Sequence, residues 1–120
     1  MVNWGFRGMK RSMIIDFDIE GFHHYPDAPD EVSFLEYNHR HLFQIRCGWG
    51  VEHNDREKEI FIYTDKVINW LVSKYGSPCQ FGSMSCEMIA EEIILNIFPS
   101  PEWVEVFEDG KGGARVTKGD

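Results

Sequence analysis

The chain has 120 residues, 42% of them hydrophobic, with 20 acidic and 12 basic side chains and a formal net charge of −8. That length fits one domain with a real core. The negative balance repels phosphate backbones and anionic lipid, so neither nucleic acid nor a membrane is the expected partner, whereas a small ligand or another protein is. No apolar run approaches the roughly twenty residues that span a bilayer. The stretch from Met1 to Ser12 carries Arg7, Lys10 and Arg11 and lacks an apolar segment with a small-residue cleavage site, so cytoplasmic placement is expected. Three cysteines, Cys47, Cys79 and Cys86, are an odd number and argue against a closed disulfide framework.

In chain order, residues 1–11 are Gly-rich and basic, an arm or part of a first strand. Residues 12–23 are β-rich and partly alternating, which predicts a strand. Pro26 and Pro29 make residues 25–30 a loop. A second long strand is predicted over about 37–51, with Gly48 and Gly50 marking a bulge or bend. Residues 53–57 read as a turn, and 59–63 as a short strand or the start of a helix. From Thr64 the period is helical, with Val67, Trp70 and Leu71 on one face and Thr64 or Asp65 as the cap. Gly76 ends that helix, and residues 76–83 read as loop. A second helix starts at Ser85 and carries Ile89, Ile93, Ile94 and Ile97 as its stripe. Pro99 and Pro101 end it, Trp103 to Phe107 alternate as a strand, a hairpin-like turn follows, and Ala114 to Lys118 form the last strand. The expected fold is α+β, a four-stranded antiparallel sheet with two helices on one face.

All five histidines fall within about thirty residues. On a regular strand His39 and His41 point to the same face, roughly 6–7 Å apart. His23 on a paired strand supplies a third corner, and three neutral imidazoles with an open fourth position are a catalytic zinc arrangement. The alternative is three separate strand histidines, each satisfied by backbone. Metal-ligating imidazoles need their second nitrogen held by a carboxylate or carbonyl, for which Asp18, Glu20 and Glu36 are nearby. His24 alternates to the other face, as a surface or interface group. His53 is a turn residue, solvated or a general base of near-neutral pKa.

These segments resemble the 6-pyruvoyl-tetrahydropterin synthase and 6-carboxytetrahydropterin synthase family, of the tunnelling fold. Gly21-Phe22-His23-His24 stands where that family ends its first strand with a metal-binding histidine. His39-Arg40-His41-Leu42-Phe43 stands at its His-Gly-His, and Met84-Ser85-Cys86-Glu87 at the start of its second helix. Glu108 follows Val104 to Phe107 where the family carries the glutamate that anchors the pterin. The resemblance implies zinc on His23, His39 and His41, a pterin, purine or nucleotide ligand, and a homo-oligomer whose sheets join into a barrel.

Three departures stand out. Leu35 occupies the place of the family's catalytic cysteine. Ser77 to Gly82 has no relay histidine, and Arg40 replaces the middle glycine. Glu108 is thus a ligand anchor or a turn carboxylate. Glu87 is a ligand contact or a first-turn carboxylate favoured by the helix dipole. Cys86, at a helix N-terminus, is a candidate relocated nucleophile. Arg40 points away from the histidine face if the strand is regular, toward a subunit contact; reaching a neighbour's pocket, it suits a phosphate or carboxylate. Two functions follow: a zinc enzyme acting on a pterin-like substrate, or a non-catalytic binder that sequesters a purine, pterin or nucleotide.

Overall fold

Two strands of 13 residues each organise the chain, β1 (Arg11–His23) and β2 (His39–Val51). The structure, a computed structural model, describes residues 8–119, so most of the expected basic arm lies outside the described residues. β1 and β2 pair antiparallel over their whole length, from Arg11 opposite Val51 to His23 opposite His39. Alternation sorts their side chains. Ile15, Phe17, Phe43, Ile45, Cys47 and Trp49 are buried on one face, and Asp16, Asp18, Gln44 and Arg46 occupy the other.

Among the described residues the sheet has five strands, not four, and is mixed. β3 (Cys79–Gly82), β4 (Trp103–Glu108) and β5 (Gly112–Thr117) complete the order β3-β1-β2-β4-β5. β3 pairs parallel with β1, and the other pairs are antiparallel. The strand replaces part of the loop expected over 76–83. Cys79 and Phe81 are buried while Gln80 and Gly82 are exposed, but an alternation of four residues is too short to distinguish from loop in the sequence.

Helix α1 (Ile60–Tyr75) packs over β1 and β3, and α2 (Cys86–Asn96) over β4 and β5. Both cover the same sheet face. Val67 and Leu71 of α1 and Ile89, Ala90 and Ile93 of α2 join one core with Ile15, Phe43, Ile45 and Val106. A third, 3-10 segment over Asp30–Glu36, broken at Val32, lies within the connection between β1 and β2. Ser85 caps α2 as expected, its hydroxyl accepting from the Met88 N–H at 3.2 Å. α1 starts earlier than expected, because the Glu59 carboxylate, rather than Thr64 or Asp65, accepts from the Ile62 N–H at 3.0 Å. Gly76 ends α1 at φ 89°.

The β1–β2 ladder is unbroken at Gly48 and Gly50, so neither marks a bulge. A Cβ on Gly48 would lie 2.3 Å from the Trp103 ring, and one on Gly50 2.5 Å from the Glu102 carboxylate. These glycines admit neighbouring side chains across the strand. Among the described residues, no helix is long and apolar enough to cross a membrane.

Candidate metal centre

The helix-covered face of the sheet changes chemistry at one end. Along β1 its residues run Ile15, Phe17, Ile19, Gly21, His23; along β2 their partners run Cys47, Ile45, Phe43, His41, His39. On β4 the same face carries Val104, Val106 and then Glu108, which stands opposite Phe43. Register alone therefore delivers three imidazoles and a carboxylate to the rim of the core. Gly21, opposite His41, lets two aromatic rings close over the strand. A Cβ there would lie 2.8 Å from the Phe81 ring and 3.1 Å from that of Phe43.

The imidazole centroids are 4.7 Å (His23–His39), 5.2 Å (His23–His41) and 4.8 Å (His39–His41) apart. One ligand nitrogen from each lies within 4.8 Å of the other two. Each Nδ1 faces an oxygen acceptor: His23 the Met84 carbonyl at 2.9 Å, His39 the Tyr37 carbonyl at 2.8 Å, and His41 the Asp109 carboxylate at 2.7 Å. A carbonyl or carboxylate oxygen only accepts, so each Nδ1 donates, and it is the Nε2 of each ring that is turned to the others. The His41 Nε2 is buried and has no hydrogen-bond partner among the described residues.

The caps are not those expected. Asp18 and Glu20 alternate to the opposite strand face, where Glu20 bonds Arg40. Asp109 takes their place from the β4–β5 turn, held in the left-handed region at φ 55°. Its second oxygen accepts from the Leu42 N–H at 2.9 Å. The bond to His41, then that from Leu42, holds the Asp109 carboxyl below its usual range. Desolvation lowers the His23 pKa, outweighing the Met84 bond and the Glu108 charge that raise it. A neutral His23 at pH 7 is what ligation requires.

Glu108 lies against the triad. Its Oε2 is 3.0 Å from the His23 Nε2, and its Oε1 is 3.5 Å from the His41 Nε2. The Cys86 thiol donates to Oε2 at 3.6 Å. Burial, followed by the Glu108 charge, pushes that thiol up to about 12, so Cys86 is a neutral donor and not a thiolate nucleophile. Three Nε2 atoms this close together could hold a metal ion.

A cavity of about 710 Å³ opens beside the histidines, within the range of small-molecule sites. His23, His39, Cys86, Glu87 and Glu108 line it. Arg40 does not, because it projects from the outer face onto Glu20. His24 does line it, contrary to its expected place on the opposite face. β1 ends at His23, so strand alternation no longer governs the next residue. Leu35 is part of the same wall. His53 sits beyond the other end of β2, with Glu57 at 3.7 Å.

The fold and the site together define an α+β protein with a three-histidine group that could hold a metal, beside a ligand-sized cavity. No protein-family model matches this sequence, and no curated protein matches it.

Proposed function

We propose that the protein is a zinc-binding, 6-pyruvoyl-tetrahydropterin synthase-like protein that takes a pterin or related purine-derived ligand. The observation that carries the metal half of this reading is the set of three Nδ1 caps, which turns three Nε2 atoms to one another at one rim of the sheet. Three oriented imidazoles with outer-shell partners are costly to assemble for packing alone. Zinc, when bound, would polarise a carbonyl or hydroxyl of the ligand. Glu108 offers two oxygens to a guanidine-like ring edge, a strong and directional pairing.

The tunnelling assembly belongs to the same proposal. The strand order leaves β3 and β5 as edges, and joining edges between copies would protect both. A cytoplasmic setting suits three free, buried cysteines.

A second reading, the non-catalytic binder, is favoured by Leu35 and Cys86. The synthase cysteine position is a leucine in the cavity wall, and the thiol that does line the cavity is protonated. The two readings separate on one preparation. Metal content is measured by elemental mass spectrometry in wild type and in a His39→Ala/His41→Ala double variant, and the loaded protein is then given dihydroneopterin triphosphate. Turnover that His39→Ala abolishes supports the enzyme. Stoichiometric binding with the ligand recovered intact, lost in Glu108→Ala, supports the binder. Wild type that takes up no more zinc than the double variant overturns the metal reading.

A further inference from the structure

We propose that Glu108 is itself the fourth metal ligand, closing the three-histidine site whenever the cavity is empty. This rests on the metal reading and adds to it a coordination number and a route of entry. A ligand would reach the metal only by displacing the carboxylate.

The argument is one of distances. The acceptors on Nδ1 turn the Nε2 atoms of His23 and His41 toward Glu108. The His23 Nε2 and Glu108 Oε2 are 3.0 Å apart. The His41 Nε2 and Glu108 Oε1 are 3.5 Å apart. A cation among these atoms would be bound by nitrogen and carboxylate oxygen together. Zinc–nitrogen and zinc–oxygen bonds of about 2.0–2.1 Å give a tetrahedron whose edge is about 3.3 Å, close to the 3.0 Å between the His23 Nε2 and Oε2, the oxygen that would bind.

The surroundings fit a carboxylate that can both bind and leave. Glu108 closes β4 just before the Asp109-Gly110 turn, and its side chain is one-third exposed toward the cavity. The Cys86 thiol supplies a neutral donor to the oxygen nearer His23, which steadies the carboxylate without adding charge. A Cβ on Gly112, paired with Glu108 on β5, would meet nothing within 4 Å, and Gly112 lines the cavity. The side of Glu108 away from the metal is therefore bare backbone, with room for the carboxylate to swing and for a flat ring to follow it.

Cobalt(II) in place of zinc reports coordination directly in its visible spectrum, and azide probes for an open position. The Co(II)-loaded wild type is expected to show a four-coordinate spectrum that millimolar azide leaves unchanged. Glu108→Ala is expected to bind Co(II) weaker by roughly tenfold or more, since even outer-shell losses reach that size. Its spectrum should shift on adding azide. Glu108→Gln, which keeps the side-chain volume, guards against a folding artefact and should show the same weakened affinity with a native melting curve. A wild-type spectrum that responds to azide, with Glu108→Ala matching wild type in affinity, overturns the proposal while leaving the three-histidine site standing. Wild type that binds no Co(II) at all overturns both.

Discussion

Replacing Asp109 by asparagine isolates the contribution of an outer-shell carboxylate. Asp109 makes two bonds at once, accepting from the His41 Nδ1–H at 2.7 Å and from the Leu42 N–H at 2.9 Å. The amide has one oxygen and can serve only one of them. Its backbone cost is small, because asparagine tolerates the left-handed conformation that Asp109 adopts at φ 55°. A bond to a charged group is worth about 1.5–3 kcal/mol against about 1 for a neutral one, so His41 loses both orientation and basicity. Outer-shell losses of this type weaken metal binding about tenfold to a hundredfold, or about 1.4–2.7 kcal/mol. Zinc competition against a chromogenic chelator at pH 7.5 measures it, with melting of the metal-free proteins in parallel. Equal zinc affinity in Asp109→Asn and wild type would refute the orienting role. A drop in metal-free stability as large as the drop in affinity would assign Asp109 to the turn instead.

Three further outcomes follow from the same geometry. The His23 pKa lies below its unfolded value of 6.5, so the unfolded chain binds more protons between the two values, and stability falls as pH drops through 6.5. Urea midpoints of the metal-free protein should be lower at pH 5.5 than at 7.5, and His23→Gln should flatten that difference; a midpoint that rises at pH 5.5 contradicts the sign. Gly21→Ala places a methyl 2.8 Å from the Phe81 ring and 3.1 Å from the Cys79 carbonyl, so overpacking should cost about 1–3 kcal/mol in urea unfolding, and an unchanged midpoint would show that β3 yields freely. Cys47, Cys79 and Cys86 are buried, with thiols pushed up to about 12, 11 and 12. Mass spectrometry after iodoacetamide at pH 7.5 should find none alkylated in the native protein and all three in urea, and rapid native labelling of Cys86 would mean its thiol is activated.

What could be read from the sequence was local. The two long strands, the Ser85 cap and the Gly76 stop are set by neighbours within a few positions, and the structure has them close to where the pattern puts them. The histidine triad was legible for the same reason, since alternation aligns His39 with His41 and antiparallel pairing sets His23 opposite His39. What escaped depends on distant partners. β3 is identified only by its parallel pairing with residues of β1 far earlier in the chain. Asp109 reads as ordinary turn chemistry before Gly110, and nothing near His41 signals that its cap lies 68 residues away. Glu108 was legible as a pocket carboxylate, but its contact with two imidazoles needs the β2–β4 register. The start of α1 stayed open between strand and helix because Ile60 and Ile62 are β-branched and flank Phe61, and the Glu59 cap decides for helix.

The triad also has a mechanical consequence. His23 is the last residue of β1 and His39 the first of β2, so everything between them is a loop whose two ends are both candidate ligands. That loop supplies His24, Tyr25, Pro26 and Leu35 to the cavity wall. An ion held at the base would act as a clasp, fixing the span and hence the shape of the wall above it. Cavity affinity and metal affinity are then two readings of one equilibrium, and whatever factor the ion adds to ligand binding the ligand must return to the ion, even if the two never touch.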